Sequence, residues 1–340
     1  MYPKRTVFQY LCVPVLLLIL VAGGVLSGCD GDRGAEVEER VQENATGQTS
    51  RSDLPEAARP PATDWSYTRV RKFDSGMDEL RGISMGPGER VYVAGDDLVR
   101  VFNVSGEALE EIPTEAPAYC ATVDDDGNLW VGLQTKVLKY GPDRKLLTSW
   151  GQQGRERGEL SFVSGIDVHG MNVLVADSGN RTVHRFDLTG DFINDIGTRD
   201  PEEDFVGIIL PNPTLECHVD QDGTVHLNNS GRLRIEQYKL IGDLIGHWGE
   251  PGLAAEKFSG CCNPSSIALL GDGFVATAEK NIRRVKVYDP ERNMKAHVGP
   301  EHFSSDQTIA LSVAATDPSR LVVADHADGA VLVFERRNAP

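Results

Sequence analysis

Residues 173–190 read Val173-Leu-Val-Ala-Asp-Ser-Gly-Asn-Arg-Thr-Val-His-Arg-Phe-Asp-Leu-Thr-Gly190. An apolar strand, a polar loop and a second strand ending on Phe186 follow one another, and a turn then leads on to Gly197. The same succession of an aromatic residue, a turn and a closing glycine occurs four times. The closing glycines are 46, 52 and 50 residues apart, at Gly151, Gly197, Gly249 and Gly299. The chain is therefore built from a repeated unit of about 50 residues.

Each repeat divides into four short strands, A to D in chain order. Asp-Gly turns such as Asp126-Gly127 and Asp222-Gly223 separate strands A and B, because this dipeptide tolerates the positive φ of a tight hairpin. Strand C ends on the aromatic residue, and strand D leads to the closing glycine. A period of roughly 40 to 50 residues filled with short strands predicts an all-β fold, the β-propeller.

Counting the pairs of strands B and C gives six units and predicts six blades. The sixth unit, at about residues 308–337, stops after strand C. A spare strand precedes the first unit, at Trp65-Ser-Tyr-Thr-Arg-Val-Arg-Lys-Phe73. We predict that residues 65–75 supply the missing strand of the sixth blade. This arrangement closes the ring and leaves no unpaired blade edge.

The phrase from Val175 to Gly190 resembles the signature of NHL repeats, with weaker copies at 91–106 and 321–334. The resemblance covers roughly residues 65–337 and implies a six-bladed NHL-type propeller. NHL propellers include binding modules, lyases and domains of unknown role, so the resemblance does not specify a function. The lyases hold a metal at the axis through inner-strand residues, but here His218 is the only histidine expected on an inner strand. Asp167 and Glu216 are placed to reach the channel, yet two carboxylates alone define no reaction.

The N-terminal residues predict export and attachment to a membrane. Lys4 and Arg5 precede an uncharged stretch that ends in Leu26-Ser-Gly-Cys29. This pattern resembles the lipobox of bacterial lipoproteins, which implies removal of residues 1–28 and acylation of Cys29. An uncleaved transmembrane anchor is the alternative, because the uncharged stretch is long enough to span a bilayer. Both interpretations place the body in the bacterial cell envelope, outside the cytoplasm.

Residues 29–64 are expected to form a disordered acidic linker between the lipidated cysteine and the propeller. They are rich in Ala, Pro, Gly, Ser and Thr and contain almost no large apolar residues, so they cannot bury a core. Loss of Lys4 and Arg5 with the signal segment takes the formal net charge from −17 to −19. Such an acidic surface repels phosphate backbones and argues against nucleic acid as a partner.

Four cysteines belong to the propeller: Cys120, Cys217, Cys261 and Cys262. Each lies at or near the start of an innermost strand, so all four are expected on one face beside the channel. Structural disulfides are one interpretation, favoured by an oxidising compartment. A second is a zinc or copper(I) site formed by Cys217, His218, Cys261 and Cys262 with Cys120 across the channel, or a redox-active Cys261–Cys262 disulfide. The third is that the cysteines are small apolar packing residues.

The segment Phe258-Ser-Gly-Cys-Cys-Asn-Pro264 also resembles a motif found in a subset of bacterial envelope NHL proteins of unsettled function. Residues 277–288 belong to the same pattern. The resemblance implies no activity.

The loops between strands B and C are polar and differ from one another, as is typical of a ligand platform. They add positive charge to an acidic body and favour an anionic ligand, through Arg181, Arg232, Arg283 and Arg284. No nucleophile motif or phosphate-binding glycine loop stands in a supporting context, so we favour a non-enzymatic role. The sequence therefore predicts recognition of an envelope protein or a small anionic ligand. A metal-binding or thiol-redox function is the alternative.

Overall fold

The computed structural model describes residues 63–199 and 206–338. Over these ranges the protein is all-β, with 24 strands arranged as six four-stranded sheets in a ring. This confirms the predicted six-bladed β-propeller. The expected signal segment, Cys29 and the linker up to residue 62 lie outside the described residues, so they stay predictions. Among the residues described, no helix is long and apolar enough to cross a membrane.

The strands are numbered in chain order, and each sheet is one blade. The chain passes through β1 (Trp65–Asp74) and then blade one, β2 (Leu80–Gly86), β3 (Arg90–Gly95), β4 (Leu98–Phe102) and β5 (Ala108–Pro113). Blade two consists of β6 (Ala118–Val123), β7 (Leu129–Leu133), β8 (Val137–Tyr140) and β9 (Leu146–Trp150). Blade three consists of β10 (Val163–His169), β11 (Asn172–Asp177), β12 (Thr182–Asp187) and β13 (Phe192–Ile196). Blade four consists of β14 (Cys217–Val219), β15 (Thr224–Asn229), β16 (Arg234–Lys239) and β17 (Leu244–Trp248). Blade five consists of β18 (Ser266–Leu269), β19 (Val275–Glu279), β20 (Arg284–Tyr288) and β21 (Met294–Val298). Blade six combines β22 (Leu311–Ala314), β23 (Arg320–Asp325) and β24 (Ala330–Asn338) with β1.

Within the described ranges, three short 3-10 helices interrupt the connections, at Pro87–Glu89, Ser230–Arg232 and Pro300–His302. The strands β2, β6, β10, β14, β18 and β22 are the inner strands, because they face the axis of the ring. All strand pairs within the blades are antiparallel.

The turns between the first and second strands of the blades follow the prediction. In blade two, Gly127 has a φ of 80°, which residues with a Cβ rarely adopt. Asp124 accepts hydrogen bonds from the backbone N–H groups of Asp126 at 3.1 Å and Asn128 at 2.8 Å. Its second oxygen accepts one from the indole N–H of Trp130 at 2.9 Å. The aspartate therefore fixes the hairpin to the strand that follows it.

The ring closes through β1, which pairs antiparallel with β24. The ladder begins with Trp65 opposite Asn338. Tyr67 is buried, and its hydroxyl donates to the carbonyl oxygen of Pro318 at 2.6 Å. The predicted closing strand is thus confirmed, and its pairing covers the edge that β24 would otherwise expose.

The hydrophobic core lies mainly between neighbouring blades. Val101 of blade one packs in one cluster with Leu129 and Val131 of blade two. Blades six and one share a second cluster, which contains Val331 and Val93. Because the blades bury their faces against each other, the six inner strands are held around a central channel.

Candidate functional site

The central channel is the first candidate site, and residues on or beside all six inner strands line it. The cavity has a volume of about 280 Å³. Its titratable or charged lining side chains are Arg81, Tyr119, Asp167, Glu216 and His218, together with the thiols of Cys120 and Cys217. Asp167, Glu216 and His218 lie at the channel. The expectation that His218 is the only histidine on an inner strand is wrong, because β10 extends to His169.

The two channel carboxylates link the inner strands of neighbouring blades. Asp167 of β10 accepts a hydrogen bond from the backbone N–H of Val219 in β14, at 2.8 Å. Glu216, just before β14, accepts one from the N–H of Ile267 in β18, also at 2.8 Å. Sequence reasoning missed this role, because each carboxylate bonds to a backbone group more than 50 residues away.

Burial changes the proton affinity of both carboxyl groups. Partial burial raises the pKa of Asp167 above the ordinary value, although His218 and the N–H of Val219 oppose the rise. Burial likewise raises the pKa of Glu216, against the opposing effect of His218. The channel therefore holds carboxyl groups that take up a proton more readily than exposed ones do.

Cys120 and Cys217 are buried thiols with suppressed reactivity. Their exposed fractions are 8% and 1%. Burial raises the pKa of Cys120 to about 12, and burial together with the charge of Asp167 raises the pKa of Cys217 well above its usual value. Because the thiolate is the form that attacks and binds metal, both thiols are poor nucleophiles and ligands near neutral pH. They pack as small apolar residues in the clusters on either side of blade three.

Cys261 and Cys262 lie apart from the channel, in the loop that precedes β18. Their Sγ atoms are 3.0 Å apart. Cys261 is exposed, whereas Cys262 is buried. The four cysteines within the described ranges are free thiols, so the structure shows no disulfide between them.

The structure separates the residues of the suggested metal or redox set. Cys217 and His218 border the channel, whereas Cys261 and Cys262 do not. Across residues 63–199 and 206–338, no group of three or more His, Cys, Asp or Glu side chains is arranged to hold a metal ion. The set is separated because Cys261 and Cys262 lie in the long connection 249–265, before the inner strand β18 begins. A zinc or copper(I) site therefore stays a prediction. The described residues include no assembled set of ligands for it.

The loop face is the second candidate site. We define it as the side of the ring where the connections between blades meet the loops between the second and third strands of each blade. In blade three, Asp177 at the end of β11 accepts hydrogen bonds from the N–H groups of Ser161 at 2.7 Å and Phe162 at 2.9 Å. It accepts another from the N–H of Asn180 at 3.0 Å. Corresponding loops of other blades are held by Asp96, Asn229, Glu279 and Asp325.

Arg283 and Arg284, expected as ligand-binding charges, are buried, with exposed fractions of 1% and 0%. Arg283 pairs with Asp325 of blade six and also donates to the carbonyl oxygen of Asp306. Arg284 pairs with Glu279, with 3.0 Å between Nε and Oε1. The expectation of solvent-facing charge is corrected for both residues, because a buried guanidinium needs a buried partner and each has one.

Arg181 is exposed, as expected for a residue that contacts a ligand. It lines an open depression of about 500 Å³ together with Arg155, Gly179 and Asn180. Within the described ranges, neither Arg155 nor Arg181 has a hydrogen-bond or ion-pair partner for its guanidinium. Sequence reasoning missed Arg155, because this residue lies in the connection between blades two and three. Only the fold brings that connection beside the loop of Arg181.

Arg232 differs from both groups. It is half-buried at the end of the 3-10 helix Ser230–Arg232, in blade four. Its Nε is buried without a hydrogen-bond partner among the described atoms. The structure therefore brings Arg181 together with Arg155 and leaves Arg232 outside the depression.

Comparison with known proteins identifies the fold but no family. No known family model matches the chain, and no curated protein matches it. Virginiamycin B lyase from Staphylococcus aureus is similar in structure, with a TM-score of 0.55 and 10% identity over 80% of this chain and 99% of the lyase. A protein of unknown function from Bacteroides thetaiotaomicron gives a TM-score of 0.58 and 11% identity over 81% of this chain and 77% of its own. At such identities the likeness shows the fold alone, a six-bladed β-propeller.

Proposed function

We propose that this protein is a recognition module whose loop face binds a carboxylate-bearing partner, carried by an envelope protein or a small ligand. The observation that carries the proposal is the exposed pair Arg155 and Arg181 beside an open depression. β-Propellers are generally binding scaffolds, and the loops on a rigid scaffold are where ligands are usually bound.

The charge balance of the chain supports this assignment. The protein has 51 acidic side chains against 34 Lys and Arg, a formal net charge of −17. Several other arginines of the propeller have carboxylate partners; Arg90 and Arg144, for example, both pair with Glu110 at 2.8 Å. Two guanidinium groups without such a partner among the described residues offer forked donors that match the geometry of a carboxylate.

The rigidity of the loops also supports a binding role. Asp177 ties the connection that follows Arg155 to the loop that carries Arg181, through hydrogen bonds to Ser161 and Asn180. Asn180 in turn donates from Nδ2 to the carbonyl oxygen of Gly154 at 3.1 Å. A site that is already ordered loses little conformational entropy when a partner binds.

We further infer that the propeller is of the NHL type and is anchored in the bacterial cell envelope by a lipid on Cys29. The lipobox-like Leu26-Ser-Gly-Cys29 and the NHL-like phrase 175–190 support this inference. Mass spectrometry of the protein taken from the membrane fraction should show a chain that begins at Cys29 and carries acyl groups on that residue. A membrane-bound chain that still contains residues 1–28 would contradict lipid anchoring and favour an uncleaved transmembrane segment. Asp177 belongs to the NHL-like phrase and accepts hydrogen bonds from the N–H groups of Ser161 and Phe162. An experimental structure without these hydrogen bonds would contradict the NHL assignment.

The recognition proposal is tested by isothermal titration calorimetry of the full chain with a hexaglutamate peptide. Charge-assisted hydrogen bonds contribute about 1.5–3 kcal/mol each, so Arg155→Gln with Arg181→Gln should weaken binding at least about tenfold. The matched control is Lys145→Gln, which removes an exposed positive charge from a turn between β8 and β9, on the opposite face. An unchanged affinity in the double variant, or an equal loss in the control, would contradict the proposal.

A further inference from the structure

We propose that Cys261 and Cys262 form a thiol–disulfide exchange site whose substrate is a disulfide, carried by a small molecule or a protein. This function is separate from anion binding at Arg155 and Arg181 and does not depend on it. The pair lies in the connection between β17 and β18, on the loop face where the chain enters blade five.

The two sulfur atoms are placed to react with each other. They are 3.0 Å apart, so the distance between them must shorten by roughly 1 Å, to about 2.05 Å, for a bond to form. Cys261 is exposed to solvent, so an incoming disulfide can reach its sulfur. Cys262 is only 5% exposed and lies behind it. Exchange needs one accessible sulfur that attacks first and one neighbouring sulfur that resolves the mixed disulfide.

Asn263 holds the chain immediately after the pair. Its Nδ2 donates to the carbonyl oxygens of Ser259 at 2.7 Å and Lys280 at 3.1 Å, and its Oδ1 accepts from the N–H of Lys280 at 3.0 Å. The pair is therefore fixed between Ser259 and Asn263. Burial raises the pKa of Cys262, and the positive charge of Lys280 beside it opposes that rise.

A buried charge cluster holds the chain just before the pair. Glu279, Arg284 and Lys286 are each fully buried. Arg284 Nη2 and Lys286 Nζ donate to the carbonyl oxygen of Lys257 at 3.0 and 2.9 Å. Glu279 pairs with both basic groups, with 2.7 Å between its Oε1 and Lys286 Nζ. The cysteine pair thus sits on a supported turn, which keeps its sulfur atoms together.

The exchange balances in two steps. The Cys261 thiol gives its proton to solvent and attacks one sulfur of the substrate, forming a mixed disulfide and releasing one thiolate, which takes up a proton. The Cys262 thiol then loses its proton and attacks Cys261 Sγ, so the Sγ–Sγ bond forms and the second substrate thiolate leaves. Two electrons pass from the protein to the substrate, which is reduced to two thiols, while the protein pair is oxidised to a disulfide.

The test uses the reduced full chain without denaturant, with oxidised glutathione as the probe under anaerobic conditions. After an acid quench, trypsin cleavage at Lys257 and Lys280 releases peptide 258–280, whose cysteines are Cys261 and Cys262. Its mass should fall by two hydrogen atoms, with no glutathione attached. Cys262→Ser should not form the intramolecular disulfide and should keep one glutathione on Cys261. The peptides with the buried Cys120 and Cys217 should stay unmodified and serve as internal controls.

Other outcomes overturn the proposal. An unchanged peptide 258–280 would show that the pair does not react. One glutathione on each sulfur would show two independent thiols, and a link between two protein chains would show intermolecular oxidation. The double variant Cys261→Ser with Cys262→Ser should leave hexaglutamate binding unchanged. Anion binding at Arg155 and Arg181 and thiol–disulfide exchange at the cysteine pair are therefore tested separately.

Discussion

At the scale of single residues, Arg283 shows how burial gives an ion pair a structural role. Its guanidinium contacts the carboxylate of Asp325, and both residues are 1% exposed. Asp325 also accepts a hydrogen bond from the N–H of Ser304 at 2.7 Å. Removing one partner leaves the other charge buried without compensation, which costs much more than the loss of an exposed pair. The contact therefore joins the loop of blade five to blade six.

We expect Arg283→Met to lower the free energy of unfolding by about 3–5 kcal/mol, because Asp325 would keep a buried and uncompensated charge. Urea denaturation followed by tryptophan fluorescence measures the change. The control is Arg181→Met on the loop face, which should change stability by less than about 0.5 kcal/mol, since its side chain is exposed. A loss below about 1 kcal/mol for Arg283→Met would contradict the structural role.

The contrast between these arginines also shows why the candidate site was only partly predictable. Arg181 and Arg283 both follow the second strand of a blade and look equivalent in sequence. The buried partner of Arg283 is Asp325, 42 residues away in another blade, and nothing local to Arg283 signals it. Arg155 was missed because it lines the depression only where the connection between blades two and three meets the loop of Arg181. Charge type was readable from sequence, but burial was not.

At the scale of elements, β1 is the strand on which ring closure depends. It pairs with β24 along its length, with one irregularity between Arg69 and Arg71. The buried Tyr67 joins the cluster between blades five and six and bonds to Pro318. Without β1, the backbone groups of β24 would form an exposed edge that invites pairing with other chains.

Tyr67→Ala should lower the free energy of unfolding by about 3 kcal/mol, because it removes a buried aromatic ring and its hydrogen bond. Thr68→Ala, at the next and exposed position of the same strand, should change it by less than about 0.5 kcal/mol. Chemical denaturation of both variants provides the comparison. Equal effects at the two positions would contradict the packing of β1 in this register.

The elements themselves were predictable because their signals are local. Asp-Gly turns and aromatic strand ends mark the hairpins, and the lone strand before the first repeat matches the incomplete last repeat. The strand boundaries are less predictable. The Asp126-Gly127 turn marks the end of the inner strand of blade two but not its start at Ala118, because pairing with Leu133 of β7 extends the strand. Pairing of this kind depends on the neighbouring strand and leaves little trace in the sequence of one strand.

At the scale of the whole molecule, the channel is where the blades meet. Asp167 and Glu216 each bond to the backbone of the next inner strand, and the hydroxyl of Ser266 continues the series by accepting from the N–H of Val313 at 3.0 Å. The sequence placed polar groups at this axis correctly. It did not show that the cysteines divide into a buried pair near the channel and a second pair outside it, because that depends on the course of the long connection 249–265.

Asp167→Asn should change how stability depends on pH. Burial raises the pKa of Asp167 in the folded protein above the ordinary 3.8, so the folded state binds the proton more tightly than the unfolded state does. The stabilisation from this group is therefore complete below about pH 3.8 and is lost as pH rises through the higher folded-state value. The asparagine keeps an acceptor for the Val219 N–H and cannot ionise. Its stability relative to wild type should rise with pH between about 3.8 and the folded-state pKa, and should then stay constant.

Thermal unfolding measured across this pH range tests the prediction. Asp167→Ala provides the contrast, since it removes both the charge and the acceptor for Val219 and should be less stable than Asp167→Asn at every pH. A constant difference between Asp167→Asn and wild type at all pH values would contradict the raised pKa.

The pairing of β1 with β24 also sets an order of events during synthesis. Tyr67 and its partner Pro318 are 251 residues apart, so the ribosome makes β1 long before the strand that receives it. At roughly 5–20 residues per second, β1 waits on the order of ten to fifty seconds with its backbone groups unpaired. β1, the first of the described strands, is thus paired last, and the ring becomes complete only after β24 has left the ribosome.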